Sequence, residues 1–235
     1  MQTKVFTGAA QDNNILQHAY SMLISKLYML EKNKSFKTLT VTSCNPGEGK
    51  TSFSASLAIA LSGAGKRILL VNLDLRKKGK AGKMSYHSTA YGISNYLNGA
   101  VELGEAICKT NIENMYFLDS GKYLGDPVSL LCSDRLGTFM QVAGSEYDYV
   151  IIDTPALECN TDALVISDRT DAAILVAKMG STTIKDIRKA QTQLNAINAY
   201  ILGVVLNKSS RRFYKKLFSA PDYFKYGKPA LYKSV

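Results

Sequence analysis

The chain is short of several things, and each shortage closes a class of function. No run of about 18 uninterrupted apolar residues occurs, so no segment reads as a transmembrane helix. Cysteines are few and scattered (Cys44, Cys108, Cys132, Cys159), with no C-x-x-C pair and only 2 histidines in the whole chain. That argues against a zinc module and against a disulfide framework, and it fits a reducing compartment. The opening residues, MQTKVFTGAAQDNN, are polar and carry no apolar signal core, which argues against secretion. No internal repeat or low-complexity linker interrupts the sequence, which reads as one domain with an appendage at each end. Acids are scarce too: 19 Asp and Glu stand against 29 Lys and Arg, a net charge of +10. Much of the excess lies in KSSRRFYKKLFSAPDYFKYGKPALYKSV, where Asp222 is the sole acid. Such a tail suits acidic lipid, nucleic acid or an acidic protein, and charge alone does not choose among them.

What is present is ordinary for a folded protein. The 235 residues, 46% hydrophobic and 20% charged, suffice for one large α/β domain with a sizeable core. Residues 13–31 place Leu16, Tyr20, Leu23, Leu27 and Leu30 at helical spacing. TLTVTSC (38–44) reads as a β-branched strand, NPGEGK as a break, and residues 51–65 as a helix ending at glycine. RILLVNL is a strand again. The stretch 80–135 is less regular, with NMYFLDS (114–120) as a strand and PVSLLCSDRLGTFMQVAG as one helix. YDYVIID (147–153), AAILVAKM and AYILGVVLNK read as strands, separated by helices in TDALVISDRT and TIKDIRKAQTQLNAI. Apolar strands without alternation, interleaved with helices, predict a mostly parallel sheet covered on both faces: a three-layer α/β fold.

Five features carry chemistry. SCNPGEGKTS (Ser43–Ser52) lies between a strand and a helix. Gly47 and Gly49 let the backbone curl so that its amides face a phosphate. The next helix offers its free N–H groups, Lys50 reaches the β- and γ-phosphates, and the Thr51 hydroxyl suits Mg²⁺. The P-loop pattern G-x-x-x-x-G-K-[ST] is incomplete, because Cys44 stands where its first glycine belongs. Asp153 ends a fully apolar strand and suits Mg²⁺, usually through water, with a helix cap as the plainer alternative. Asp74 ends the strand after the first helix of the motif, where a carboxylate ligates metal or accepts a proton, unless it only pairs with Arg76 or Lys77. Two residues earlier, Asn72 can only hydrogen-bond. Asn207 follows the last strand, either reading an adenine edge or making a turn. Tyr214, Tyr223, Tyr226 and Tyr232 sit among Lys and Arg in the tail, presented to a partner or simply part of an aromatic-basic tail.

TSCNPGEGKTS, LLVNLDLRK, GISNYLNG, DPVSLLCSDRL, YDYVIIDTPA…TDA and ILGVVLNK resemble, in this order, the bacterial protein-tyrosine kinases of capsule and exopolysaccharide assembly, the CpsD/CapB type. The resemblance runs from about Ile15 to Lys208. It implies a P-loop fold related to the MinD/ParA ATPases and transfer of the γ-phosphate of ATP to tyrosines of the chain's own tail. It also implies a membrane-spanning activator that regulates polymer length, and a cytoplasmic location at the membrane through that partner. Carried over, Pro46, Gly47, Glu48, Gly49, Lys50, Thr51 and Ser52 hold nucleotide phosphates, with Asn207 beside them. Thr51, Asp153 and Asp74 serve Mg²⁺; Lys50, Asp74 and Asp153 are catalytic; the four tail tyrosines are acceptors. Asp162 matches the family's T-D-A without an assigned role.

This sequence departs from the resemblance at several places. Asn72 occupies the first position of the family's D-x-D, where the resemblance puts the acceptor of the tyrosine proton. His18, Ser21 and Ile24 stand at the E-x-x-R-x-x-R positions that join subunits in a ring, and Ser129 replaces a glutamate. The expected organisation is a helical segment at 1–35, a P-loop kinase domain at 36–210 and a basic tail at 211–235. The expected function is an ATP- and Mg²⁺-dependent tyrosine autokinase without nucleic-acid binding. Two alternatives stay open: a degenerate nucleotide-binding regulator weakened by Asn72, and a MinD/ParA-type ATPase. The last usually carries K-G-G-x-G-K-T, and Cys44-Asn45-Pro46 departs from that.

Overall fold

The computed structural model describes residues 3–4, 14–76, 91–121 and 125–209, with side chains from residue 17 onward. In chain order the elements are β1 (Thr3–Lys4), α1 (Asn14–Glu31), β2 (Thr38–Ser43), α2 (Lys50–Gly63) and β3 (Ile68–Asn72). Then come α3 (Ile93–Leu97), α4 (Leu103–Ala106), β4 (Cys108–Thr110), β5 (Met115–Leu118), α5 (Pro127–Leu131) and α6 (Asp134–Glu146). The chain continues through β6 (Tyr149–Asp153), α7 (Asp162–Asp168), β7 (Ala172–Lys178), α8 (Ile184–Ala196) and β8 (Ile201–Asn207).

Among the described residues the strands form one eight-stranded sheet in the order β1-β4-β5-β3-β6-β2-β7-β8. Every pairing is parallel except β4 with β5. The apolar runs read from sequence lie at the centre for a physical reason: parallel strands are joined by crossover helices, so both faces are covered. Alternate side chains therefore enter different layers. Leu39, Val41, Ile68, Leu70, Tyr149 and Ile151 pack with Leu27 of α1 and Phe53, Leu57 and Leu61 of α2. Leu69, Val71, Val150 and Ile152 pack on the opposite face with Ile93, Leu131, Leu136 and Phe139. Leu175 meets Ala190 and Leu194 of α8 on that side. This is the three-layer α/β fold that the sequence predicts.

The single helix expected over 127–144 is two helices. Asp126 caps the first, accepting from Val128 N at 3.3 Å, with Pro127 next. Ser133 then turns extended (φ −69°, ψ 152°) and starts a second helix with Asp134 in its first turn. The Ser133 hydroxyl donates to Leu130 O at 2.7 Å, competing with the backbone ladder where the first helix ends. The irregular stretch before it contains α3, α4 and β4, too short to show periodicity.

Asp171 holds the start of β2 in place. Its Oδ2 accepts Lys37 N at 2.9 Å, Thr38 N at 2.8 Å and Thr38 Oγ1 at 2.8 Å. Burial pushes this carboxyl up, but those hydrogen bonds and the nearby Lys34 charge outweigh it and hold it below its ordinary value. A depressed folded pKa stabilises above the unfolded value and ceases to as pH falls through the folded one. Asp171→Ala is therefore expected to melt below the wild type at pH 7, with the gap narrowing below about pH 4. Calorimetry across pH 3–7 reads this; a gap that does not change with pH refutes it.

Candidate active site

The site lies at the carboxyl ends of the central strands, and the loop between β2 and α2 is its floor. Gly47 (φ 75°) and Gly49 (φ 94°) both adopt left-handed backbone conformations. These two residues turn the chain sharply into the N-terminus of α2, which begins at Lys50. The loop is held from behind by Glu48, only 2% exposed. Its carboxylate accepts Asn45 N at 3.0 Å, Asn45 Nδ2 at 3.3 Å and the Thr182 hydroxyl. Thr182 in turn accepts Lys178 N at the end of β7, at 2.7 Å. A second brace comes from the end of β8. Asn207 Nδ2 donates to Glu48 O at 2.9 Å, and Lys208 Nζ donates to Gly47 O at 2.9 Å.

Cys44 is buried at the start of the loop, 5% exposed. Burial, with the charges of Glu48 and Asp186 adding, pushes its thiol up to about 11. It stays protonated at neutral pH and packs as a small apolar group.

Thr51 and Asp153 meet although 102 residues separate them: Thr51 Oγ1 donates to Asp153 Oδ2 at 2.6 Å. Asp153 is 4% exposed at the end of β6. Asn72, at the end of β3, pairs in register with Asp153. Thr51, Ser54, Asn72, Phe117 and Asp153 line one small cavity. Asp74, 8% exposed, follows Leu73, whose N–H donates to Asp153 O at 2.8 Å. Arg76 turns to Asp162: Nε donates to Oδ2 at 2.6 Å and Nη2 to Oδ1 at 2.9 Å. That fork ties the segment after β3 to the start of α7.

The donors fit Mg²⁺. A hydroxyl and a carboxylate are hard oxygen ligands, and Mg²⁺ in phosphate sites takes one or two protein ligands, with phosphate and water completing its shell. Among the described residues there is no cluster of three or more His, Cys, Asp or Glu that would suit another metal.

The profile of the AAA domain family matches residues 36–199. Tyrosine-protein kinase CpsD of Streptococcus pneumoniae serotype 4 is 38% identical over 172 residues, covering 73% of this chain and 76% of that protein. The chain belongs to the bacterial tyrosine-protein kinases of this type. The solved kinase domain of Escherichia coli tyrosine kinase ETK superposes with a TM-score of 0.80 at 27% identity, covering 89% of this chain and 84% of that one. The cell division ATPase MinD of Pyrococcus furiosus shares the fold at a TM-score of 0.62 and 23% identity, covering 77% and 78% of the two chains.

Gly47, Glu48, Gly49, Thr51, Asp153 and Asn207 come together around the loop, with Lys50 at the start of α2 and Asp74 two residues beyond the end of β3, its N–H bonded to Asn72 Oδ1. Pro46 and Ser52 are on the loop's exposed side. Glu48 is a buried strut in this structure, and the Asn207 amide spends its hydrogens on the loop. Asp162, without a role in the sequence reading, anchors Arg76. Of the positions that the resemblance assigned to ring contacts, Ser21 is exposed and Ile24 packs against the core. Tyr214, Tyr223, Tyr226 and Tyr232 lie outside the described residues. The sequence reading did not single out Asp119, which follows β5 and accepts Asn72 Nδ2 at 3.1 Å. Its signal was the one that found Asp153, an apolar strand ending on an acid, but the expected strand ran straight through it.

Proposed function

We propose that this protein is an ATP- and Mg²⁺-dependent tyrosine autokinase that regulates capsular or exopolysaccharide synthesis and export. The observation that carries it is the pairing of a braced phosphate loop with Thr51 and Asp153 in hydrogen-bond contact, in a chain 38% identical to a tyrosine-protein kinase. The loop amides, the α2 N-terminus and Lys50 bind and orient the phosphates. Thr51 and Asp153 would hold Mg²⁺, which when bound neutralises charge on the transferring phosphoryl group. Asp74 supports them at the next strand end. The tail tyrosines are the acceptors, and a transmembrane chain-length regulator is the partner that brings the protein to the cytoplasmic face of the membrane. Among the described residues no helix is long and apolar enough to cross a membrane itself. The degraded ring positions favour a looser homo-oligomer than a closed ring, and nucleic acid is not a partner.

The test is intact mass after incubation with ATP and Mg²⁺, with and without the cytoplasmic segment of a candidate membrane activator. Phosphate increments on the tail are expected, and Lys50→Met should remove them. Binding of ADP without any phosphotyrosine in the wild type would instead favour a nucleotide-binding regulator.

A further inference from the structure

Ser54 sits one turn beyond Thr51 on α2, and at that spacing both side chains share a face of the helix. Both line the cavity at the strand ends, together with Asn72 and Asp153. Ser54 is 0% exposed, and its hydroxyl has no hydrogen-bond partner among the described residues. A serine inside a helix commonly discharges its hydroxyl on a carbonyl about one turn back. Ser62 of the same helix does so, donating to Ile59 O at 2.9 Å, and so do Ser21 and Ser25 of α1. Ser54 makes no such bond. A buried hydroxyl without a partner lowers stability, and an alanine, like the buried Ala55 and Ala58 of α2, would avoid that penalty. Ser94 and Ser167 are buried without partners too, but neither lines this cavity.

Two polar side chains share the cavity with Thr51 and Ser54. Asn72 is held at both ends: Nδ2 donates to Asp119 Oδ1 at 3.1 Å, and Oδ1 accepts Asp74 N at 3.3 Å. Asp153 carries the stronger acceptor, because an ionised carboxylate forms charge-assisted bonds and accepts at both oxygens. Thr51 Oγ1 donates to one of them, Oδ2, at 2.6 Å.

Resting on the nucleotide and Mg²⁺ site of the kinase reading above, we propose that Ser54 is a positioning residue of that metal site, its hydroxyl donating to the Asp153 carboxylate when nucleotide and Mg²⁺ are bound. Thr51 and Asp153 would hold the cation, and coordination draws on the two side chains that bond to each other here. A buried donor one helical turn from Thr51 keeps the carboxylate turned toward the metal, as outer hydrogen-bonding partners do for metal ligands in general. The hydroxyl therefore has opposite effects on two measurable quantities. It lowers the stability of the protein by itself, and it strengthens the binding of Mg²⁺ with nucleotide.

The test compares the full chain with Ser54→Ala and with the equal-shaped pair Ser54→Thr and Ser54→Val. Without nucleotide, Ser54→Ala is expected to melt at or above the wild type. With ADP, the Mg²⁺ concentration that gives half of the melting shift should rise about 10- to 100-fold in Ser54→Ala. Ser54→Thr keeps the hydroxyl and should need close to the wild-type concentration. Ser54→Val has the same shape without it and should need as much as Ser54→Ala. A wild-type Mg²⁺ requirement in Ser54→Ala overturns the proposal, and this variant carries the test even where the larger side chains disturb the packing of α2. A nucleotide-free melt of Ser54→Ala well below the wild type means that the hydroxyl serves the fold, and overturns it as well. A wild type whose ADP shift does not respond to Mg²⁺ overturns the metal site, and this role with it. A tail that is never phosphorylated while the Mg²⁺ response stands overturns the kinase reading alone.

Discussion

Gly49→Ala should abolish the rise in melting temperature that ADP and Mg²⁺ are expected to give the wild-type protein. Gly49 sits at φ 94°, and a Cβ there would come within 2.3 Å of Asn207 Nδ2. The backbone strain alone costs about 1–2 kcal/mol for an L side chain. In a chain of this size that lowers the melting temperature by roughly 2–8 °C. The clash does more, because Asn207 cannot simply swing away. Its Nδ2 holds Glu48 O at 2.9 Å, and its Oδ1 accepts Lys208 N at 2.8 Å. Moving it releases the loop at the point where phosphate would bind. Gly47→Ala is the comparison: φ is 75°, but no atom lies within 4 Å of the added methyl. It carries the backbone strain without the clash and should keep part of the shift. Thermal melts with and without ADP decide this, and a full wild-type shift in Gly49→Ala would refute the proposed role of the Asn207 brace.

Asp153→Asn should remove the dependence of ATP binding on Mg²⁺ and slow tail phosphorylation by about 10² to 10³-fold. The amide is nearly isosteric, and its oxygen can still accept the Thr51 hydroxyl that Asp153 Oδ2 accepts at 2.6 Å. The fold is therefore expected to survive with a melting temperature near that of the wild type. What goes is the negative charge, and a hard divalent cation depends on it. Calorimetric titration of ATP into the protein, with and without Mg²⁺, measures the effect directly. If Mg²⁺ strengthens binding to Asp153→Asn as much as to the wild type, Asp153 is not its ligand.

The sequence was most readable where the information is local. β-branched and apolar runs announced β2, β3, β6 and β7, and the glycines, Lys50 and Thr51 announced the loop and the start of α2, because strand period and turn geometry depend on adjacent residues. It was least readable where short elements carry too few periods, as in α3, α4 and β4, and where Ser133 restarts a helix. Glu48 looked like a loop residue facing nucleotide; the partners that make it a strut, Asn45 and Thr182, include one 134 residues away.

By itself the sequence determined a parallel α/β fold, a phosphate loop and a strand-end acid in Asp153, and it flagged Asn72 as the position short of a carboxylate. Only the tertiary structure decided what stands beside Asn72. In a parallel sheet the lateral neighbours of a strand arrive through crossovers from distant parts of the chain, so their order is set by how helices pack on the two faces and not by any local pattern. That packing put β5 next to β3 and Asp119 within 3.1 Å of the Asn72 amide, across 47 residues of sequence.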